Sequence, residues 1–227
     1  MRKLIVLISM TALALTSVVT FGSGSAMAQP ISGPTCTGSH TGTTWNSVLV
    51  PSNSFCSLTD SWVGGSVLVS PGASFETCAD HIVGSISANS AYLNIDGNTW
   101  VGGSISTINP GANAPGSVHC LKYTPNTPSV YYSSLICPYH VGGSISEQNL
   151  GRNRPPVLIG ECSPGSGEIW LGIWIGGSVL MAGNRGNVTL QYATVVGNVT
   201  CANDNPNSVT SEVYATVIVG CAEESMD

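Results

Sequence analysis

Apolar and polar positions alternate along this chain in short runs that return with a period near twenty. The fullest copy is Trp62-Val63-Gly64-Gly65-Ser66-Val67; related copies begin at His81, Trp100, His140 and Trp174, and weaker ones at Trp45 and Thr194. Counted on the glycine before the Ser or Asn, Gly65, Gly84 and Gly103 stand 19 residues apart, and Gly177 and Gly197 stand 20 apart. Gly103 to Gly143 is 40 residues, which reads as two turns; Gly143 to Gly177 is 34, which reads as two short turns or one turn with an insertion. A period this short excludes the usual helix-pair repeats. It predicts an all-β, single-stranded parallel β-helix, a β-solenoid with one coil per repeat.

Each repeat divides into three strands. Residues 67–69, 74–77 and 81–83 are separated by Pro71-Gly72 and by residues 78–80, so a coil of about 19–20 residues has three faces. Because side chains alternate sides along a strand, Val63, Ile82, Val101, Val141, Ile175 and Val195 should form one inward column. Val67, Ile86, Ile105, Ile145, Val179 and Val199 should form a second. The glycines between them mark a corner that needs either positive φ or close packing. From residue 45 to 221 this spacing predicts about nine coils and a rod of roughly 40 Å at the usual strand spacing.

The 227 residues begin with Arg2 and Lys3, an apolar run over 4–21 and a small-x-small step at Ala26-Met27-Ala28, the form of a secretory signal peptide over residues 1–28. A Pro-, Gly-, Ser- and Thr-rich lead-in follows over 29–44, then the coil over 45–221 and an acidic tail over 222–227. The chain is therefore expected outside the cell, with no transmembrane segment after cleavage. Without the leader, four basic residues face twelve acids, a formal net charge of −8. That balance argues against nucleic acid as a partner.

All eight cysteines follow the leader, and an even count in an exported chain reads as disulfides. Cys36 and Cys56 are 20 residues apart, as are Cys201 and Cys221, so each pair spans one coil and would staple one end. Cys78, Cys120, Cys137 and Cys162 allow three pairings. Cys120 with Cys137 is favoured, at nearly one coil's separation. Exposed strand edges at the coil ends also open a route to self-association.

At the level of Val-x-Gly-Ser/Asn-Val repeats joined by Pro-Gly-Ala turns, as in residues 63–75, the chain resembles secreted, largely uncharacterised β-helix proteins of actinomycete-like bacteria. More distantly it is similar to the polymerising bactofilin-type β-helices. Those are cytoplasmic scaffolds, and the leader and cysteines here depart from them. The resemblance implies the coil geometry and carries no catalytic residue.

The column one residue before the inward valines reads Trp62, His81, Trp100, His140 and Trp174, and should face outward. Such a stripe of rings either contacts a glycan or a protein partner or packs over the neighbouring glycines and shields the sheet. For a carbohydrate-active enzyme the best acids are Asp60 and Asp80, placed as neighbours across coils, with Asp96, and secondarily the region from Glu147 to Glu168. Two Cys-x-x-His segments, at Cys78 and Cys137, lie too far apart to share an ion, so neither a metal nor a cofactor is expected. The leading expectation is a secreted, non-enzymatic structural or surface-associated solenoid with the Trp/His stripe as its contact surface. The alternative is an extracellular polysaccharide hydrolase or lyase.

Overall fold

A computed structural model describes residues 34–95, 98–111, 134–160, 172–204 and 208–223. The predicted leader, the start of the lead-in and the end of the tail lie outside them, as do Asp96, Cys120, Cys162 and Glu168. Within them every named element is a strand, and every pairing between strands is parallel. The result is a β-solenoid of about seven turns.

One face carries Val48–Val50, Val67–Val69, Ile86–Asn89, Ile105–Ile108, Ile145–Gln148, Val179–Ala182, Asn198–Ala202 and Val217–Val219, each bonded to the next. We call it face A. Face B begins with Gly38–Thr41, Phe55–Thr59, Ser74–Cys78 and Tyr92–Ile95 and continues through Ser134–Ile136 and Val157–Gly160. Face C stacks Thr44–Trp45, Trp62–Val63, His81–Ile82, Trp100–Val101, His140–Val141 and Ile173–Ile175. Val188–Val195 and Val209–Tyr214 run round the B–C corner as single strands, which joins those two faces into one sheet.

Both predicted inward columns are in register. Val63 aligns with Ile82, Ile82 with Val101, and so on to Val195, and all six side chains are buried. The column from Val67 to Val199 does the same on face A. Burying an aliphatic side chain stabilises by about 1.5–3 kcal/mol, so the two files form the spine of the core.

The coil count is lower than the sequence spacing implied. Trp100 pairs directly with His140, and Ile105 with Ile145, so the 40 residues from Gly103 to Gly143 make one coil with an insertion, not two coils. The 34 residues from Gly143 to Gly177 also make one. The strands on either side of the extra residues keep their register in both cases. The boundaries also differ from the reading of the sequence. Gly38–Thr41 already pairs with Phe55–Thr59, so part of the predicted lead-in belongs to the coil. Ala222–Glu223 pairs with Val209 and Thr210, so the predicted tail begins as a strand.

Corners hold the coils together with side-chain oxygens where the backbone ladder is interrupted. At the C–A corner the N–H of Ser85 donates to Ser66 Oγ (3.1 Å), Ser104 to Ser85 (3.0 Å), Ser144 to Ser104 (3.0 Å), Ser178 to Ser144 (3.0 Å) and Asn198 to Ser178 (3.1 Å). The glycine before each serine is needed for close packing rather than positive φ. A methyl on Gly84 would stand 2.5 Å from both Ser66 Oγ and the Gly65 carbonyl oxygen. The A–B corner instead requires left-handed backbone, with φ of 51° at Ser90, 52° at Asn109, 62° at Asn149 and 57° at Asn203. Asparagine tolerates that region better than most residues, which accounts for three of these four.

Cys36–Cys56 and Cys201–Cys221 are disulfides with Cα separations of 5.5 and 4.9 Å, one at each end of the described coil. Cys78 and Cys137 are also disulfide-bonded. The favoured Cys120–Cys137 pairing falls partly outside the described residues.

Candidate functional site

Alternation along face C places the residue before each inward valine on the outer surface, and the parallel register then stacks those residues coil upon coil. The outcome is an unbroken file of five rings. Trp62 and His81 have centroids 4.0 Å apart and planes within 3°; His81 and Trp100 are 4.0 Å apart and within 13°. Trp100 and His140 follow at 5.4 Å and 11°, and His140 and Trp174 at 4.6 Å and 16°. All five residues named from the sequence are therefore brought together.

The stacking changes what the file offers. Each inner ring has both faces covered by its neighbours, so the surface along the file is made of ring edges. Only Trp62 and Trp174, the most exposed of the five at 46% and 38%, end the stack with an outer face not covered by another ring of the file. Thr44 precedes Trp62 in the column and Thr194 follows Trp174. Trp45, taken from the sequence as the start of a weaker copy, is one step out of this column. It aligns with Val63, packs against the core, and donates from Nε1 to Thr43 Oγ1 at 2.7 Å.

The rings also shield the sheet. The Trp100 indole lies over Gly102, where a methyl would stand 2.5 Å from its Cη2, and Trp174 lies over Gly176 in the same way at 2.8 Å. This explains why Gly follows two positions after each of these tryptophans. Sandwiching takes water away from the imidazoles, and desolvation lowers the pKa of both His81 and His140 below its ordinary value.

The acids do not form a comparable cluster. Asp60 is exposed and, by register, neighbours Ala79 rather than Asp80, because this coil has 19 residues and not 20. Asp80 is buried and serves the backbone. Its Oδ1 accepts the N–H of Ser61 at 2.7 Å and its Oδ2 that of Cys78 at 2.9 Å.

Glu147 is on face A and points into the coil, in the column of Val69, Ala88, Thr107 and Met181. It is fully buried, neither carboxylate oxygen has a hydrogen-bond partner, and burial raises its pKa well above 4.5. Burial also pushes Glu76 up to about 7, offset in part by the side-chain amide of Asn94 in the next coil. Thus a region suggested for catalysis supplies an interior acid instead.

Among the described residues no group of three or more His, Cys, Asp or Glu side chains could hold a metal ion, and no helix is long and apolar enough to cross a membrane. The sequence reading ended the outward column at Thr194, yet Tyr214 continues it. The twenty-residue step from Thr194 to Tyr214 was the available signal. Comparison with protein-family models, with curated proteins and with solved structures finds no match to this chain.

Proposed function

We propose that this chain is a secreted, non-enzymatic structural solenoid that uses the Trp62-His81-Trp100-His140-Trp174 file as its contact surface toward a cell-surface glycan or a protein partner. The observation that carries this reading is the continuity of the file across five coils. A rigid strip of aromatic edges, fixed by the core beneath it, meets a partner with little conformational entropy left to lose. Aromatic residues are also those enriched at contact surfaces. The signal-like leader and the disulfides support an extracellular setting.

The alternative, a polysaccharide hydrolase or lyase, draws little support from the acids. Asp80 is committed to two backbone amides, Asp60 aligns with Ala79, and Glu147 faces the interior. The test replaces Trp62 and Trp100 together by Ala in the full chain and measures its retention on the producing cell's surface. Circular dichroism would establish that the coil persists. Retention should fall sharply; unchanged retention with an intact fold eliminates the strip as a contact surface.

A further inference from the structure

Beyond Trp174 the outward column continues with one rung missing. Trp174 aligns with Thr194, and Thr194 aligns with Tyr214, so two exposed aromatic residues stand two coil steps apart with only a threonine between them. At the usual strand spacing that interval is about 9.6 Å. Everywhere else in the file successive rings are 4.0–5.4 Å apart, so the interval is the thickness of one absent ring.

We infer that the gap above Thr194 is a binding slot for one neutral pyranose ring of a glycan, sandwiched between Trp174 and Tyr214. This inference rests on the contact reading above and assigns it a ligand class. The slot leaves roughly 4.8 Å on each side of an inserted ring. The planar rings of the file stack at 4.0–5.4 Å, so the interval accepts one ring between its two walls. A pyranose chair is thicker, because its axial hydrogens project from both faces, and those C–H groups suit the negative faces of indole and phenol rings.

The polar surroundings select further. The exposed hydroxyl-bearing Thr194 forms the floor, while Glu212, also exposed, lies at the corner two residues before Tyr214. Both can pair with sugar hydroxyls. The strands that form the slot, Ile173–Ile175, Val188–Val195 and Val209–Tyr214, contain no Lys or Arg, and Glu212 would repel a carboxylate or sulfate. A neutral sugar is favoured over an acidic one. A few fixed polar groups around an apolar sandwich are the common arrangement of a small-molecule site.

The test titrates the full chain with hexasaccharides of β-1,4-glucose, β-1,3-glucose, β-1,4-mannose, β-1,4-xylose and N-acetylglucosamine, and with oligogalacturonate, followed by tryptophan fluorescence and calorimetry. At least one neutral probe should bind and oligogalacturonate should not. Thr194→Trp, which fills the gap, and Tyr214→Ala, at an exposed position where folding is tolerant, should each weaken binding by about tenfold or more, equal to about 1.4 kcal/mol. Ser87→Ala, at an exposed position on face A away from the ring file, should leave it unchanged.

Absence of binding by every neutral probe overturns the slot, as does binding unaltered by both Thr194→Trp and Tyr214→Ala. Loss of binding in Trp62→Ala alone would also overturn it, while favouring the strip as the sugar contact. The broader contact reading fails separately, through unchanged surface retention of the Trp62/Trp100 variant.

Discussion

His140 stacks on Trp100 with centroids 5.4 Å apart and planes within 11°, although forty residues of chain separate them. The strands on either side of the extra residues pair directly, and the ring file continues with no change of column. Selection of side chain at each outward position, rather than sequence distance, sets the surface.

That surface depends on the glycines beneath the tryptophans. Gly102→Ala would drive a methyl into Trp100 and into the Val83 carbonyl oxygen, at 2.5 and 2.6 Å. It should destabilise by about 1–3 kcal/mol, the usual cost of overpacking. Gly64→Ala meets nothing nearer than 3.7 Å and should change stability by less than about 1 kcal/mol. Urea unfolding of both variants, with tryptophan fluorescence as a second signal, checks the contrast. Equal effects would mean that the indole does not rest on Gly102.

The interior acids make stability depend on pH. Glu147 and Glu76 hold their protons more tightly folded than unfolded, so the folded state binds more protons above the ordinary value of 4.5. Stability contributed by these groups is complete below 4.5 and is lost as pH rises, for Glu76 up to about 7. The two sandwiched histidines act with the opposite sign, losing stability as pH falls below 6.5. From pH 6.5 upward the acids therefore dominate, and stability should decline. Glu147→Met, copying Met181 of the next coil, should remove much of that decline and stabilise by on the order of 1–3 kcal/mol at the upper end. Unfolding midpoints of the wild type and variant across this range decide it; parallel curves would refute an unpaired interior carboxyl.

Asp80 and Asp60 provide a second contrast. Asp80→Asn weakens acceptance from the Ser61 and Cys78 amides and should cost about 1–3 kcal/mol. Asp60→Asn alters an exposed corner residue and should cost less than about 0.5 kcal/mol. Thermal unfolding of the pair is the measurement. A stable Asp80→Asn variant would mean that the two amides do not depend on a carboxylate.

The coil, its three faces, both valine columns, the ring stripe and the two end disulfides were legible because each repeats one chemistry at one position. A column of Val63, Ile82, Val101 and Val141 leaves little room for another register. Legibility failed where the chain departs from the repeat. The step from Gly103 to Gly143 passed for two coils because it is twice twenty, whereas Trp100 pairs directly with His140 and Ile105 with Ile145. Asp60 and Asp80 were matched by counting twenty in a coil of nineteen, a slip of one residue that moves a side chain to a different site. Glu147 occupies an inward position by simple alternation from Ile145, but its charge disguised it as surface.

The file of serines at the C–A corner has a direction. Every hydroxyl receives the amide of the coil that follows it, so the links all point the same way from Ser66 to Asn198. Like a column of identical couplings, it can be extended or shortened by whole units while each joint keeps its own grip. Length is thus a free variable of this architecture, and the two ends of the column can never be mistaken for one another.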